Sequence, residues 1–285
     1  MITVTGATGQ LGRLVIAELL KKLPPSEIVA AVRDPEKGED LADLGVQVRR
    51  ADYDQPATLY EAFKGTGKLL LISSSEIGRR VRQHAAVIDA ARAADVQLLA
   101  YTSGLHAETS PLILSAEHRK TEAMLGQSGV PFVLLRNGWY TENHTATIPA
   151  ALEHGTLLGC AGSGRISSAA RADYAAAAAK TLLLEGQAGR VYELAGDSAY
   201  TMEDFAGEIT KQTGKKVAYN DMPEEEYKAV LVSAGLPQGL AVLLADSDTG
   251  ASKGGLFDDS RQLSELIGRP TTPMSESVTA AIKGP

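Results

Sequence analysis

A chain of 285 residues with a net charge of −7, 44% hydrophobic and 22% charged, has the composition of a globular protein with room for a sizeable core. No Lys/Arg-rich run is present, which excludes nucleic acid as an expected partner, because neutralising phosphates needs a basic footprint. The single cysteine, Cys160, allows no intrachain disulfide or thiolate metal cage, and the five histidines (His84, His106, His118, His144, His154) lack metal-ligand spacing on a shared helix face.

The chain opens directly on the strand-like Met1-Ile2-Thr3-Val4-Thr5, so no signal peptide is expected, and no apolar run nears the roughly 18 residues that cross a membrane. A cytoplasmic protein without membrane contact is expected. Strands are predicted at residues 2–5, 28–33, 46–51, 68–73, 98–102 and 132–136. They are rich in Val, Ile and Leu with little alternation, so both faces of each are expected to be buried. Between them, helices are predicted at 11–23, stopped by Pro24-Pro25, at 58–63, ended by Gly65, at 79–94, and at 116–127, leaving at Gly129. This interleaving describes a parallel sheet with crossover helices. Beyond Arg136 the pattern changes: a helix at 173–184, a strand at 191–194 and a helix at 201–213, with Thr201 and Asp204 in capping-box positions. Two or three further helices follow, and the Gly/Asp/Ser-rich stretch 245–259 is expected to be a loop.

Three glycines, Gly6, Gly9 and Gly12, fall between the first strand and the first helix, in Gly6-Ala7-Thr8-Gly9-Gln10-Leu11-Gly12. A dinucleotide pyrophosphate needs a tight turn, close backbone approach and a helix N-terminus with its partial positive charge. The unpaired N–H groups of Gln10 and Leu11 can point at the phosphates. About 20 residues further on, where an NAD site places a carboxylate, the chain has Arg33 followed by Asp34. A guanidinium there suits an adenosine 2′-phosphate, so NADPH is the expected cofactor; Asp34 keeps NADH open as a second one. Asp52 is read either as an acceptor for the adenine amino group or as a helix N-cap. Ser73, Ser74 and Ser75, closing the fourth strand, suit the wall of a ribose site, or a simple turn. The fold expected is α/β, a Rossmann doubly wound parallel sheet with a smaller, mostly helical C-terminal substrate lobe. The dinucleotide domain covers residues 1–136, the chain returns to it over 171–197, and the lobe covers 137–285.

Beyond the glycine motif, further blocks accumulate: Leu70-Leu71-Ile72-Ser73-Ser74-Ser75, Leu135-Arg136-Asn137-Gly138-Trp139-Tyr140-Thr141-Glu142-Asn143, Arg171-Ala172-Asp173-Tyr174-Ala175-Ala176-Ala177, Tyr192-Glu193-Leu194-Ala195-Gly196-Asp197 and Gly254-Gly255-Leu256-Phe257-Asp258-Asp259-Ser260. Together they resemble, over nearly the whole chain, the group of type 2 NAD(P)H:quinone oxidoreductases and triphenylmethane reductases, within the NmrA-like atypical short-chain dehydrogenases. The resemblance implies NADPH held by Gly6, Ala7, Thr8, Gly9, Gln10 and Leu11, by Arg33, by Ser73, Ser74 and Ser75, and by Asn137, Gly138, Trp139, Tyr140, Thr141 and Glu142. It also implies a quinone-like substrate over the nicotinamide, with Gln83, Arg171, Trp139 and Tyr140 as wall residues. For Trp139 and Tyr140, core packing is the competing reading.

Short-chain dehydrogenases acting on alcohols carry a Tyr-x-x-x-Lys pair on the helix after the fifth strand. Placed against the NmrA-like pattern through Glu122, this chain has Leu114 at the Tyr position and His118 at the Lys position. Lys120 lies about 200° around the helix from His118 and cannot share its face. The acid–base pair is absent. Ketone reduction would leave a strongly basic alkoxide, whereas hydride addition to a quinone ends in a phenolate-type anion, and a phenol ionises near a pKa of roughly 10. The expected enzyme is an NADPH-dependent reductase of quinones or similar electron-poor acceptors with no obligatory protein acid. His118 is a candidate for orientation or proton relay, or a packed histidine. The alternative from another class is a non-enzymatic dinucleotide sensor acting through a protein partner.

Overall fold

Short apolar runs that alternate with amphipathic helices can bury both their faces only in a parallel sheet covered on each side. The computed structural model, which describes residues 1–284, has this arrangement. The strands are β1 (Ile2–Thr5), β2 (Ile28–Val32), β3 (Gln47–Arg50), β4 (Lys68–Leu71), β5 (Leu98–Gly104), β6 (Phe132–Asn137), β7 (Thr156–Gly159), β8 (Val191–Leu194) and β9 (Ala218–Asp221). The helices of the first half are α1 (Gln10–Leu20), α2 (Glu39–Asp43), α3 (Pro56–Ala62), α4 (Arg80–Ala93), α5 (Leu114–Ser128), α6 (Thr141–Thr145) and α7 (Ile148–His154). Those of the second half are α8 (Arg171–Leu183), α9 (Met202–Thr213), α10 (Glu224–Ser233), α11 (Gln238–Ser252), α12 (Gln262–Ile267) and α13 (Met274–Lys283).

One sheet of seven strands has the order β3-β2-β1-β4-β5-β6-β8. β1 pairs in parallel with β2 (Ile2 opposite Ile28) and with β4 (Ile2 opposite Lys68). The order therefore reverses between β1 and β4, the switch point at which doubly wound sheets bind ligands beyond their carboxyl ends. The expected doubly wound fold is what forms. β3 departs from one expectation: all four of its residues keep some solvent access, because it is the edge strand of the sheet.

The chain forms two compact units. The first joins residues 1–104, 117–137 and 171–192. Its core gathers Leu59, Phe63, Leu69, Leu71, Val87, Leu99 and Tyr101, all fully buried. In the same unit the alanine-rich α8 lies against α1, small side chains permitting a close approach. The second unit joins residues 105–116, 138–170 and the chain from Glu193 onward. Its main core includes Ile148, Leu157, Tyr200, Phe205 and Ile209, and it contains a two-stranded parallel sheet, β7 with β9. The capping box at α9 forms as the sequence indicates, Thr201 Oγ1 accepting from Asp204 N and Asp204 Oδ2 from Thr201 N. Among the described residues, no helix is long and apolar enough to cross a membrane.

The stretch 245–259 corrects the sequence reading, because α11 runs on to Ser252 and only the remainder is loop. Among the described residues four helices, not two or three, follow α9. The small residues of α11 form its packed face (Ala241, Ala245, Ser247, Gly250, Ala251), and its carboxylates hold neighbouring loops. Asp246 accepts from Ile113 N at 2.8 Å and Asp248 from Cys160 N at 3.1 Å. Polar composition here records anchoring of loops, not chain reversal.

Burial, with the negative charge of Asp221 adding to it, lifts the Asp248 carboxyl from the usual carboxylate range to about 6. The fold thus favours the neutral form. The resulting penalty is present above about pH 6 and disappears as pH falls toward the unfolded-state value near 4. Asp248→Asn keeps an acceptor for Cys160 N without the charge, and is expected to stabilise the protein by roughly 1–2 kcal/mol at pH 8 and by much less at pH 4.5. Thermal unfolding of both proteins at the two pH values checks this; an equal or reversed gap would contradict it.

Candidate active site

At the carboxyl end of β1 the chain turns on Gly6, whose φ of +59° lies in the left-handed region that favours glycine. Gly9 N–H then donates to Gly6 O at 2.9 Å, and Gly9 is the N-cap of α1. A Cβ at Gly12 would lie 2.5 Å from Gly6 O and 2.7 Å from Ala7 Cα, both backbone atoms. Only glycine lets the helix begin this close to the turn. The first turn of α1 holds no acidic side chain, and the N–H groups of Gln10 and Leu11 lie beyond the reach of the helix's own carbonyl ladder. Arg13, which sequence reasoning passed over, braces the turn. Its Nε donates to Thr8 O at 3.1 Å and its Nη2 to Lys37 O at 2.8 Å, and it forms an ion pair with Asp40.

Arg33 directly follows β2, its side chain is 71% exposed, and it pairs with Glu76 at 2.9 Å rather than with Asp34 or Glu36. Asp34 instead caps the 3-10 turn at Pro35–Gly38 by accepting from Glu36 N. Asp52 is not a helix N-cap. That position belongs to Gln55, and the Asp52 carboxylate accepts from Asp54 N and Gln55 Nε2, both at 3.0 Å. The short side chain closes its own turn two residues ahead, which leaves the helix to start later.

The segment Ser73 to Ser75, after β4, is held from below by buried groups. Ser73 N donates to Thr102 Oγ1 at 2.9 Å and Ser74 N to His84 Nε2 at 3.0 Å. Arg80 Nε donates to Ser74 O, and Glu76 N to Ser74 Oγ at 3.1 Å. Because His84 Nε2 accepts, its proton sits on Nδ1 and is given to Thr121 Oγ1 at 2.9 Å, while Thr121 donates to Glu117 O at 3.0 Å. Burial, reinforced by the Arg80 charge, pushes the His84 pKa down to about 3, so the imidazole stays neutral. Gln83, its neighbour, is buried with Nε2 at 3.2 Å from both Asp54 Oδ2 and Glu76 Oε2. The Gln83 Oε1 is buried with no protein donor.

At the ends of β5 and β6, α5 contributes two groups. Glu122, the residue against which His118 is placed in the sequence, takes a bidentate pair from Arg136 (3.0 and 2.7 Å) and a hydrogen bond from Ser103 Oγ (2.6 Å). It clamps β6 one residue before Asn137, whose Oδ1 is buried without a protein donor. His118 is buried and its Nδ1 lies 2.7 Å from Tyr101 Oη. Burial, with the nearby Arg80 and His84, lowers its pKa to about 3. The ring packs beside Gly104, where a Cβ would come within 3.2 Å of His118 Cδ2. Arg171, half-buried, opens α8 in the same unit.

Gly138 to Glu142 belong to the second unit. Gly138 N donates to Leu194 O at 2.7 Å, and Trp139 and Thr141 exchange backbone hydrogen bonds with Ala169. Trp139 packs against that unit's core, beside His144. Thr141, fully buried, joins a chain of hydrogen bonds through Ser168 Oγ and Tyr200 Oη to His144 Nδ1, each step between 2.7 and 2.8 Å. Burial lowers the His144 pKa to about 4.

What sequence reasoning missed is the layer beneath the loops: Arg13, His84, Thr102 and Glu76. A signal was available. Arg80, Gln83 and His84 fall on the same helical face as Val87 and Ile88, and polar residues in core positions must find partners. His84→Leu would leave the Ser74 N–H without its acceptor and strand Thr121, costing about 1–3 kcal/mol. Chemical denaturation of the two proteins checks this, and a variant as stable as the parent would show that the imidazole bond is dispensable.

The NAD(P)H-binding family matches residues 6–182. Over 279 residues, 98% of each chain, the protein is 60% identical to quinone oxidoreductase 2 of Escherichia coli (strain K12). The crystal structure of an Escherichia coli NADPH-dependent quinone oxidoreductase complexed with NADPH superposes with a TM-score of 0.96 at 59% identity, covering 98% of this chain and 99% of that one. The Citrobacter sp. triphenylmethane reductase complexed with NADP(H) superposes with a TM-score of 0.95 at 41% identity, covering 99% and 100%. The resemblance read from the sequence blocks is thus borne out across the chain. The chain therefore belongs to the NAD(P)H-binding family, in the branch of the type 2 quinone oxidoreductases and triphenylmethane reductases.

Proposed function

We propose that this chain is an NADPH-dependent reductase that transfers hydride to quinones and similar electron-poor conjugated acceptors. One observation carries the reading beyond the family. At the helix position where alcohol dehydrogenases keep a lysine there is His118, buried, bonded to Tyr101 and held neutral. The residues present suit the dinucleotide: the Gly12 contact leaves a bare helix head, and Asn137 Oδ1 waits without a donor. The relatives, named as quinone and triphenylmethane reductases, support a reductase rather than a sensor.

NADPH, when bound, supplies the hydride. On the protein side, the N–H groups of Gln10 and Leu11 take the pyrophosphate and Arg33 the 2′-phosphate. Ser73 to Ser75, rigid through Thr102, His84 and Arg80, line the ribose. Asn137 accepts from a polar group of the nicotinamide half. Gln83, fixed between Asp54 and Glu76, belongs in this reading to the adenosine end rather than to the substrate wall. Arg171, Trp139, Tyr140 and Glu142 remain the groups assigned to substrate and nicotinamide. No imidazole with a pKa near 3 gives up a proton at neutral pH, so the phenolate-type product, whose conjugate acid has a pKa of roughly 10, takes its proton from water. We place the enzyme in the cytoplasm, where NADPH is made and consumed.

Steady-state kinetics with a simple para-quinone test this directly. NADPH should be oxidised, with a kcat that shows no break between about pH 5.5 and 8. Arg33→Ala should raise the KM for NADPH roughly ten- to a hundredfold and that for NADH little. A bell-shaped kcat profile centred in that range would contradict water as the proton source, and no NADPH oxidation with any quinone would end the reading.

A further inference from the structure

The strand order places β2 and β4 on either side of β1, so a bond between the residues that follow those two strands bridges the edge where the Gly6 turn emerges. Arg33 and Glu76 make that bond, Nη1 donating to Oε1 at 2.9 Å. The two partners are held very differently. Glu76 also accepts from Arg79 Nη1 at 2.7 Å and from the buried Gln83 Nε2 at 3.2 Å, and its own N–H is tied to Ser74 Oγ. Asp54 extends this lattice by accepting from Arg79, Arg82 and Gln83. Arg33, in contrast, has 71% of its side chain exposed, against 30% for Glu76. The carboxylate is the fixed member of the pair and the guanidinium the movable one.

We infer that Glu76 is a specificity-determining residue: it holds Arg33 when no 2′-phosphate is present, competes with that phosphate, and so sets the margin of NADPH over NADH. The inference rests on the reading of Arg33 as the 2′-phosphate partner. The N–H that Arg33 gives to Glu76 cannot serve a phosphate at the same time. A phosphate monoester carries nearly two negative charges at neutral pH and accepts a guanidinium bidentately, so the exchange favours the phosphate. Glu76 is not stranded afterwards, because Arg79 and Gln83 remain on it. What NADPH must give up is therefore one exposed ion pair, a modest quantity. NADH offers only a hydroxyl at this place and leaves the pair intact.

The test is a titration of the purified protein with NADPH and, separately, with NADH, for the parent, Glu76→Gln, Arg33→Ala and the double variant. Glu76→Gln should tighten NADPH about two- to fivefold, leave NADH unchanged, and lose its effect once Arg33 is alanine. Weaker NADPH binding, an equal shift for both cofactors, or a gain that persists without Arg33 would overturn the inference. If Arg33→Ala binds NADPH as the parent does, the reading of Arg33 itself fails. If Arg33→Ala weakens NADPH while Glu76→Gln changes nothing, only the role of Glu76 falls. Should Glu76→Gln not yield folded protein, Glu76→Asp is judged by the same outcomes, since its carboxylate is one methylene too short for Arg33.

Discussion

The contact on which the first unit depends is backbone against backbone: the α1 residue Gly12 over Gly6 O and Ala7 Cα, with no room for a Cβ. It brings the head of α1 onto the end of β1 and so decides where the unpaired N–H groups point. The rest of α1 follows from that seat. Its buried stripe of Leu11, Val15, Ile16 and Leu19 faces the sheet, and alanine-rich α8 can lie close beside it. A helix set this near a strand leaves the loops at the carboxyl edge to be tied by side chains, because their backbone has no ladder partner. Arg13 ties the turn to the segment after β2, and Thr5 Oγ1, accepting from both Tyr53 Oη and Ile72 N, ties β1 to its neighbours.

Three buried histidines do similar work in a common way. His84, His118 and His144 each bond to a hydroxyl through Nδ1, and burial drives each pKa down, to about 3, 3 and 4. Each is neutral in the fold and charged at low pH in the unfolded chain, whose histidines titrate near 6.5. Their contribution to stability is therefore complete above about pH 6.5 and lost as pH falls toward 3 to 4, opposite in sign to that of Asp248. The same neutrality bears on chemistry. A protein that uses its interior imidazoles as uncharged spacers has none poised to donate a proton at physiological pH.

How far the sequence spoke depended on whether a feature was local. The six N-terminal strands, the crossover helices, the Thr201 capping box and the glycine turn are short-range patterns, and they were legible because spacing alone specifies them. The loop expected at 245–259 failed because composition was read without partners: Asp246 and Asp248 are helix residues that reach out to the Ile113 and Cys160 amides, far away in the chain. Asp52 failed as an N-cap for a smaller reason, the choice between closing its own turn and capping a helix that begins at Pro56. Arg33 was singled out by position, yet its ion-pair partner Glu76 was not, since only the order β2-β1-β4 brings the two together. Non-local pairings of this kind leave no periodic trace.

The vacated acid position explains more than a missing residue. A lysine four residues before Glu122 would place an ammonium beside Tyr101 and Gly104, in a region where Arg80 already supplies one buried guanidinium. Burying a second cation there would be costly without a carboxylate of its own, and Glu122 is already committed to Arg136 and Ser103. His118 resolves this by being able to shed its charge and still hydrogen-bond Tyr101. Once the position is neutral, it neither lowers the pKa of a phenol nor protonates an alkoxide. In the function proposed above, selection among acceptors would then fall to their own electronic structure, in favour of molecules whose reduced form is stabilised by delocalisation.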